Sequence, residues 1–360
     1  MENFYSNTKE KILLISSRPF EHSGMTKIEL DIIDGASEKI DFSVASFDYC
    51  FEYDELLNNK RINHYRLSNK KYVLSYMRDI YRIVKNGDYK KVYIHGNSSL
   101  MLLEALPSKV AGAKIITHCH NGKPQNGLLK YYIFKPFFNC VLDTKIACSK
   151  KAAEWAYCGE YTVINNGIDI NRFKYNKDVR KAVRQNLGLS KSCVVGHIGN
   201  FNEQKNHKKL ISIFEKIIKI KPNSKLLLIG EGELKKEIEE IVKKKGLSDK
   251  VIFMGYINDP EKYLQAMDIM VIPSVFEGFC LTALEAQVSG LPVVTSEKIP
   301  DEALVVDSCE KMQLEDKSEK WAKKAIGMLN IERKDNSKLL YERGYSLGHM
   351  VESINNILLK

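Results

Sequence analysis

Short apolar runs of strand length recur along the whole chain, each followed by a stretch that reads as helix. KILLIS (11–16), KVYIHGN (91–97), AKIITHCH (113–120), KIACS (145–149) and YTVINNG (161–167) lie in the first half. CVVGHIGN (193–200), SKLLLIGEGE (224–233), KVIFMGYI (250–257), DIMVIPS (268–274) and LPVVTS (291–296) lie in the second. Most are apolar on successive residues rather than on alternate ones. Strands buried on both faces read this way, as in parallel sheets. Strand then helix, repeated, predicts βα units wound into doubly covered sheets.

The intervening helices carry their own stop signals. HKKLISIFEKIIKIK (207–221) ends at Pro222, ELKKEIEEIVKKKG (233–246) at its glycine, and CLTALEAQVSG (280–290) at Gly290. The stretch 167–188 is polar and has no long apolar run. It predicts a boundary near residue 175, with domains 1–175 and 176–345. The last segment, YSLGHMVESINNILLK (345–360), reads as a lone amphipathic helix. Two doubly wound domains of this kind bind ligands beyond the carboxyl ends of their strands.

Composition narrows the class. The chain has 360 residues, 44% hydrophobic and 28% charged, the values of a globular protein with two ordinary cores. No apolar run reaches the roughly 18 residues of a membrane span. The start, MENFYSNTKE, lacks the basic and apolar regions of a signal peptide, so the expected location is the cytoplasm. Eight cysteines are scattered without a Cys-x-x-Cys pair, which argues against a zinc knuckle or a disulfide framework.

The net charge of +10 is uneven: residues 51–150 carry 17 Lys/Arg against 7 Asp/Glu, and residues 201–360 carry 25 against 25. A basic first half suits an anionic surface such as the inner face of a membrane, or it is simply solvated. KYVLSYMRDIYRIVKNGDYKK (71–91) and NGLLKYYIFKPFFN (126–139) interleave lysines with aromatics. That pattern fits a lipid headgroup surface or a core with a charged outer face. No nucleic-acid-binding motif accompanies the charge.

The most informative stretch is EGFCLTALEA (277–286), which follows a strand and opens a helix. A helix start offers unpaired N–H groups and the positive end of a dipole, which suits a phosphate. Gly278 allows close backbone approach. Glu277 and Glu285 could accept sugar hydroxyls, or be a capping and a surface glutamate. In VGHIGNFNEQKNHKKLI (195–211), Lys205 lies in a loop between strand and helix, where its point charge could neutralise a phosphate. His118 and His120 alternate along one strand; without a further cluster they predict no metal site.

EGFCLTALEA followed by GLPVV resembles the signature of glycosyltransferase family 4, a retaining family of the GT-B fold. The resemblance implies two Rossmann-like domains facing a central cleft, with a nucleotide-sugar donor on the second and the acceptor on the first. It implies that Glu277 faces the donor sugar, Glu285 holds the ribose, and Lys205 binds the diphosphate. Gly278, Phe279, Cys280 and Leu281 border the phosphates, with Cys280 where the family usually has glycine. Gly199 and Asn200 end the first strand of that domain, with Asn200 where the family usually has arginine. LLIGEGEL (227–234) and FMGYI (253–257) are similar to the segments that place Gly230 and Tyr256 near the nucleotide. In the first domain, Gly24 approaches the diphosphate and His120 contacts donor and acceptor at the reacting carbon.

The candidate catalytic residues are therefore His120, Lys205 and Glu277. Cofactor and metal are expected to be absent. The resemblance is to members that build bacterial surface polysaccharides, which implies a UDP-sugar donor and a glycan or lipid-linked oligosaccharide acceptor. The C-terminal helix (346–360) is expected to return to the first domain. A sugar-nucleotide epimerase and a non-catalytic sugar-nucleotide-binding partner of another transferase are the competing classes.

Overall fold

The computed structural model describes residues 9–122 and 128–360. Two positions of the aromatic stretch at 126–139 and the first eight residues lie outside these. The chain divides into two compact units, Met1–Gly167 with Leu347–Lys360, and Ile168–Ser346.

The first unit is built on seven strands: β1 (Glu10–Ser16), β2 (Ile40–Ser46), β3 (His64–Arg66), β4 (Lys91–Gly96), β5 (Lys114–Cys119), β6 (Thr144–Ala147) and β7 (Thr162–Val163). All pair in parallel, in the order β3-β2-β1-β4-β5-β6-β7. Ile12 to Ile15 of β1 are wholly buried, as a strand covered on both faces requires. The strand order reverses between β1 and β4, which opens a crevice at their carboxyl ends.

The second unit repeats the scheme with β8 (Cys193–Ile198), β9 (Ser224–Ile229), β10 (Val251–Phe253), β11 (Ile269–Ile272), β12 (Val293–Ser296) and β13 (Cys309–Met312). The parallel order is β10-β9-β8-β11-β12-β13, so the reversal falls between β8 and β11. Leu210, Ile211, Phe214 and Ile217, on one face of the helix His207–Ile220, pack into a core with Leu226 and Leu228 of β9 and Trp321. Helix and sheet periods thus meet on one apolar surface.

The boundary falls at Gly167, eight residues before the expected position. Residues 168–175 are polar in outline but anchored: Ile168 bridges Ser346, Ile170 and Phe173 are buried, and Asn176 N donates to Gln265 Oε1. The C-terminal helix Leu347–Leu358 belongs to the first unit. It buries Met350, Val351, Ile354 and Leu358. Asn355 accepts from Ser37 N and donates to Gly35 O at the end of the helix Gly24–Asp34.

Candidate active site

In the second unit the loops leaving β8 and β11 start side by side at the point where strand order reverses. They are stitched together: Val275 N donates to Gln204 O at 2.8 Å, and Asn206 Nδ2 donates to Pro273 O at 3.2 Å. Asn206 adopts a left-handed conformation to make this turn, one that asparagine tolerates. Asn202 caps the short turn Glu203–Lys205 by accepting from Lys205 N. The glycines set the spacing beneath. A Cβ on Gly230 would lie 2.2 Å from Gly199 O, and one on Gly232 would lie 2.5 Å from Phe201 O. The chain leaving β9 can therefore press against the chain leaving β8 only without side chains.

This scaffold brings Lys205 and Glu277 into contact. Lys205 Nζ donates to Glu277 Oε1 at 2.6 Å, and Gln204 Nε2 donates to Glu277 Oε2 at 3.2 Å. The lysine stem crosses Gly199, within 3.1 Å of where a Cβ would stand. Burial works against the lysine charge, but the Glu277 carboxylate together with Cys280 and Glu285 outweighs it, so the ammonium is held above the ordinary lysine range. A charged lysine at the carboxyl ends of the strands is a cation ready for an incoming anion.

Phe279 and Cys280 lead into the helix Leu281–Val288, whose first turn presents backbone N–H groups and the positive dipole end. Cys280 has φ +82°, in the left-handed region that favours glycine. That is a physical reason for glycine at this position, and this chain carries the strain instead. Glu285 is buried within the helix, and its charge reaches Lys205. Gly255 O accepts from Gly230 N, which sets the half-exposed Tyr256 next to the glycine turn. Asn200 is exposed at the end of β8. The sequence-derived residues Gly199, Asn200, Lys205, Gly230, Tyr256, Glu277, Gly278, Phe279, Cys280, Leu281 and Glu285 thus fall in the second unit, on the exits of β8, β9, β10 and β11 and the helix after β11.

Gly24 and His120 belong to the first unit. Gly24 opens the helix Gly24–Asp34, capped by Ser23 Oγ accepting from Thr26 N. His120 follows β5, and its Nε2 lies 2.8 Å from Nδ1 of His95. His95 on β4 pairs in register with His118 on β5, so three imidazoles share one sheet face. Tyr93 OH meets His118 Nδ1 at 2.8 Å. Burial holds all three rings neutral, pushing His120 down to about 3 and the others well below the histidine range. Glu29, wholly buried on the helix Gly24–Asp34, sits 3.9 Å from His95 Nδ1.

His95 and Glu29 escaped the sequence reading, which counted two histidines here. Three such rings have the donor chemistry for a metal. Yet two nitrogens bound to one tetrahedral zinc at 2.0–2.1 Å stand about 3.3 Å apart. The His95–His120 approach is the shorter distance of a hydrogen bond.

A cavity of about 570 Å³ in the second unit is lined by Tyr175, Arg180, Arg184, Asp268 and Arg333 among others. It lies at the amino ends of β8 and β11, away from the charged pair. Its arginines are engaged by Asp268 and by the carbonyls of Gln265, Ala266 and Met267. They hold helix ends in place.

Residues 179–342 match the family model described as "Glycosyl transferases group 1". EpsF of Bacillus subtilis, whose name marks it as a glycosyltransferase, is 25% identical over 285 residues, 75% of this chain and 74% of that one. The UDP-Gal:alpha-D-GlcNAc-diphosphoundecaprenol alpha-1,3-galactosyltransferase of Escherichia coli is 27% identical over 236 residues, 60% of each chain. Among solved structures, HepE of Anabaena in complex with UDP and glucose superposes with a TM-score of 0.82 at 20% identity, covering 97% of this chain and 99% of that one. The architecture is that of GT-B proteins, and the residues that match the group 1 model make up most of its second Rossmann-like unit.

Proposed function

We propose that the chain is a retaining, metal-independent glycosyltransferase of family 4, moving a sugar from a UDP-sugar to a hydroxyl of a lipid-linked glycan during assembly of a cell-surface polysaccharide. The observation that carries this reading is the Lys205–Glu277 pair at the carboxyl ends of β8 and β11, beside the amino end of the helix Leu281–Val288. Lys205 and the helix N–H groups receive the diphosphate, where negative charge grows as the sugar–oxygen bond breaks. Glu277 holds hydroxyls of the transferred sugar, Glu285 those of the ribose, and Tyr256 borders the base. His120 meets the acceptor hydroxyl from the first unit. The departing phosphate oxygen takes the acceptor's proton as the new bond forms on the same face. Positioning and charge supply the catalysis, with no external base.

The relatives' names support the substrate class: one acts on a diphosphoundecaprenol-linked sugar with UDP-Gal. An amphiphilic acceptor fits the first unit's surface. On the helix Leu128–Val141, Leu129, Tyr132, Ile133, Phe134 and Phe137 are exposed, with Lys130 and Lys135 among them. Among the described residues, no helix is long and apolar enough to cross a membrane. We place the protein peripherally on the inner face of the plasma membrane, held by these aromatics and by the positive charge of residues 51–150.

The test is a donor and acceptor screen with the purified chain, read by mass spectrometry, with the anomeric configuration of the product determined by NMR. A product that keeps the donor's configuration supports the reading. An inverted product excludes retention, and epimerised donor without transfer puts the chain in the epimerase class.

A further inference from the structure

The loops that leave β1 and β2 bring together three side chains that the chemistry above does not use. Parallel pairing continues past the ends of both strands, with a bridge between Phe20 and Tyr49. Phe20 N donates to Asp48 O at 2.8 Å, and Cys50 N donates to Phe20 O at 3.0 Å. This ladder sets His22, two residues beyond the bridge, against the start of the helix Phe51–Asn59. Cys50 is the cap residue of that helix and Glu52 lies in its first turn. One donor atom from each of His22, Cys50 and Glu52 falls within 4.8 Å of the others. His22 Nε2 stands 3.9 Å from Glu52 Oε2, and the Cys50 thiol shares a hydrogen bond with the same carboxylate.

We propose that His22, Cys50 and Glu52 bind one zinc ion, which pins the loop after β1 to the loop after β2. The donor set decides the metal. A thiolate sulfur, an imidazole nitrogen and a carboxylate oxygen suit zinc, whereas magnesium and calcium take oxygen. The spacing agrees. Nitrogen and oxygen ligands of one tetrahedral zinc stand about 3.4 Å apart. The observed 3.9 Å closes to that by a small swing of Glu52, whose side chain is 65% exposed. The three buried histidines differ in this respect, because two of their nitrogens are already too near each other. On binding, the ion replaces the proton that Cys50 shares with Glu52, and that proton leaves to solvent.

The histidine has the support of a metal ligand. Its other ring nitrogen, Nδ1, meets Tyr53 OH at 3.2 Å. The ring packs against Tyr53 at 5.0 Å between centroids, and Tyr53 packs edge-on against Phe20 at 5.8 Å. An outer partner of this kind fixes the tautomer and the orientation of a ligating imidazole. Three protein ligands leave the fourth position to water. Both loops lie at the carboxyl ends of their strands, the end at which such sheets bind ligands, so the ion stiffens that rim. It takes no part in the leaving-group step proposed for Lys205. Its removal is therefore expected to loosen the first unit and to leave the single-turnover rate unchanged.

The experiment adds zinc chloride to the full chain, freed of metal and kept reduced by a phosphine, and follows binding by calorimetry. Cobalt chloride then serves as the spectroscopic probe. One zinc per chain is expected, at micromolar affinity or tighter, with a tetrahedral cobalt spectrum that includes a near-ultraviolet thiolate band. Cys50→Ser is expected to remove that band. Tyr53→Phe is expected to keep it and to weaken zinc about 10- to 100-fold. A third arm needs no variant: zinc should protect Cys50 from alkylation, read by peptide mass spectrometry, while the exposed Cys140 and Cys158 stay reactive. Lack of stoichiometric zinc, a cobalt spectrum without the thiolate band, a band that survives Cys50→Ser, or a Cys50 that zinc leaves as reactive as Cys140 overturns the proposal. The alkylation arm decides even if Cys50→Ser does not fold. No sugar enters any arm, so failure here leaves the transferase reading untouched, and failure of transfer leaves this site untouched.

Discussion

At the scale of single residues, the proposed mechanism puts most of its chemistry on Lys205. The cation is paired with Glu277, so under that proposal a donor diphosphate shares or displaces this partner. Lys205→Ala is expected to slow the single-turnover rate about a hundred- to a thousandfold, because a preorganised cation aimed at the leaving group acts mostly in the transition state. Donor affinity should change far less. A weaker donor affinity with an intact single-turnover rate would reduce Lys205 to a holding role. The same substitution leaves the Glu277 carboxylate with Gln204 as its remaining partner of the two, which should cost about 3–5 kcal/mol of stability in denaturant unfolding.

Cys280 offers an independent check. Its left-handed backbone costs a residue with a Cβ roughly 1–2 kcal/mol. Cys280→Gly should therefore be more stable than Cys280→Ala by about 1 kcal/mol, since both lose the thiol and only alanine keeps the strain. Equal stabilities would mean that the loop relaxes to another conformation.

At the scale of elements, most of the strands that could be read from the sequence are buried on both faces, the edge strands β7 and β10 excepted. β1, β8, β9 and β11 announce themselves as unbroken apolar runs. β2 was missed because Ile40–Ser46 interrupts its pattern with Asp41 and the buried Ser43. β3, two half-buried residues and an exposed arginine at a sheet edge, has almost no signal. β13 is also an edge strand, and its Cys309–Lys311 stay partly exposed. Lys205 and Glu277 were legible one at a time, because each sits in a local motif, a strand exit and a helix entry; their ion pair was not. The buried cluster of Glu29, His95 and His120 was legible only in part, because strand register and a helix face assemble it from three separate segments and only the His118–His120 strand end stood out.

The C-terminal helix was legible as an amphipathic segment, and its burial gives a prediction. Four buried side chains, at about 1.5–3 kcal/mol each, amount to roughly 6–12 kcal/mol as an upper bound. That is comparable to the whole stability of an ordinary domain, about 5–15 kcal/mol. Ending the chain after Ser346 should therefore unfold the first unit while the second stays folded, seen as selective proteolysis of residues 9–167. A truncated chain with both units resistant would show that the helix is dispensable.

At the scale of the whole molecule, charge and exposed aromatics on the first unit predict peripheral binding to anionic vesicles. That binding should fall steeply with salt, because exposed charges are screened over about 10 Å at 0.1 M ionic strength. Equal binding to neutral vesicles would assign the attachment to the apolar side chains alone. No binding at all would leave the positive charge of residues 51–150 as a solvated face.

In the proposed function the chain transfers a sugar by itself, with Lys205 and backbone dipoles in the place a metal takes in other transferases. The direct measurement is single-turnover transfer from a UDP-sugar to a diphospholipid-linked acceptor in the presence of EDTA, followed by the mass of the acceptor. The acceptor is expected to gain one sugar residue at a rate the chelator does not change. Loss of transfer in EDTA that manganese or magnesium restores, or UDP release without any gain in acceptor mass, would contradict it.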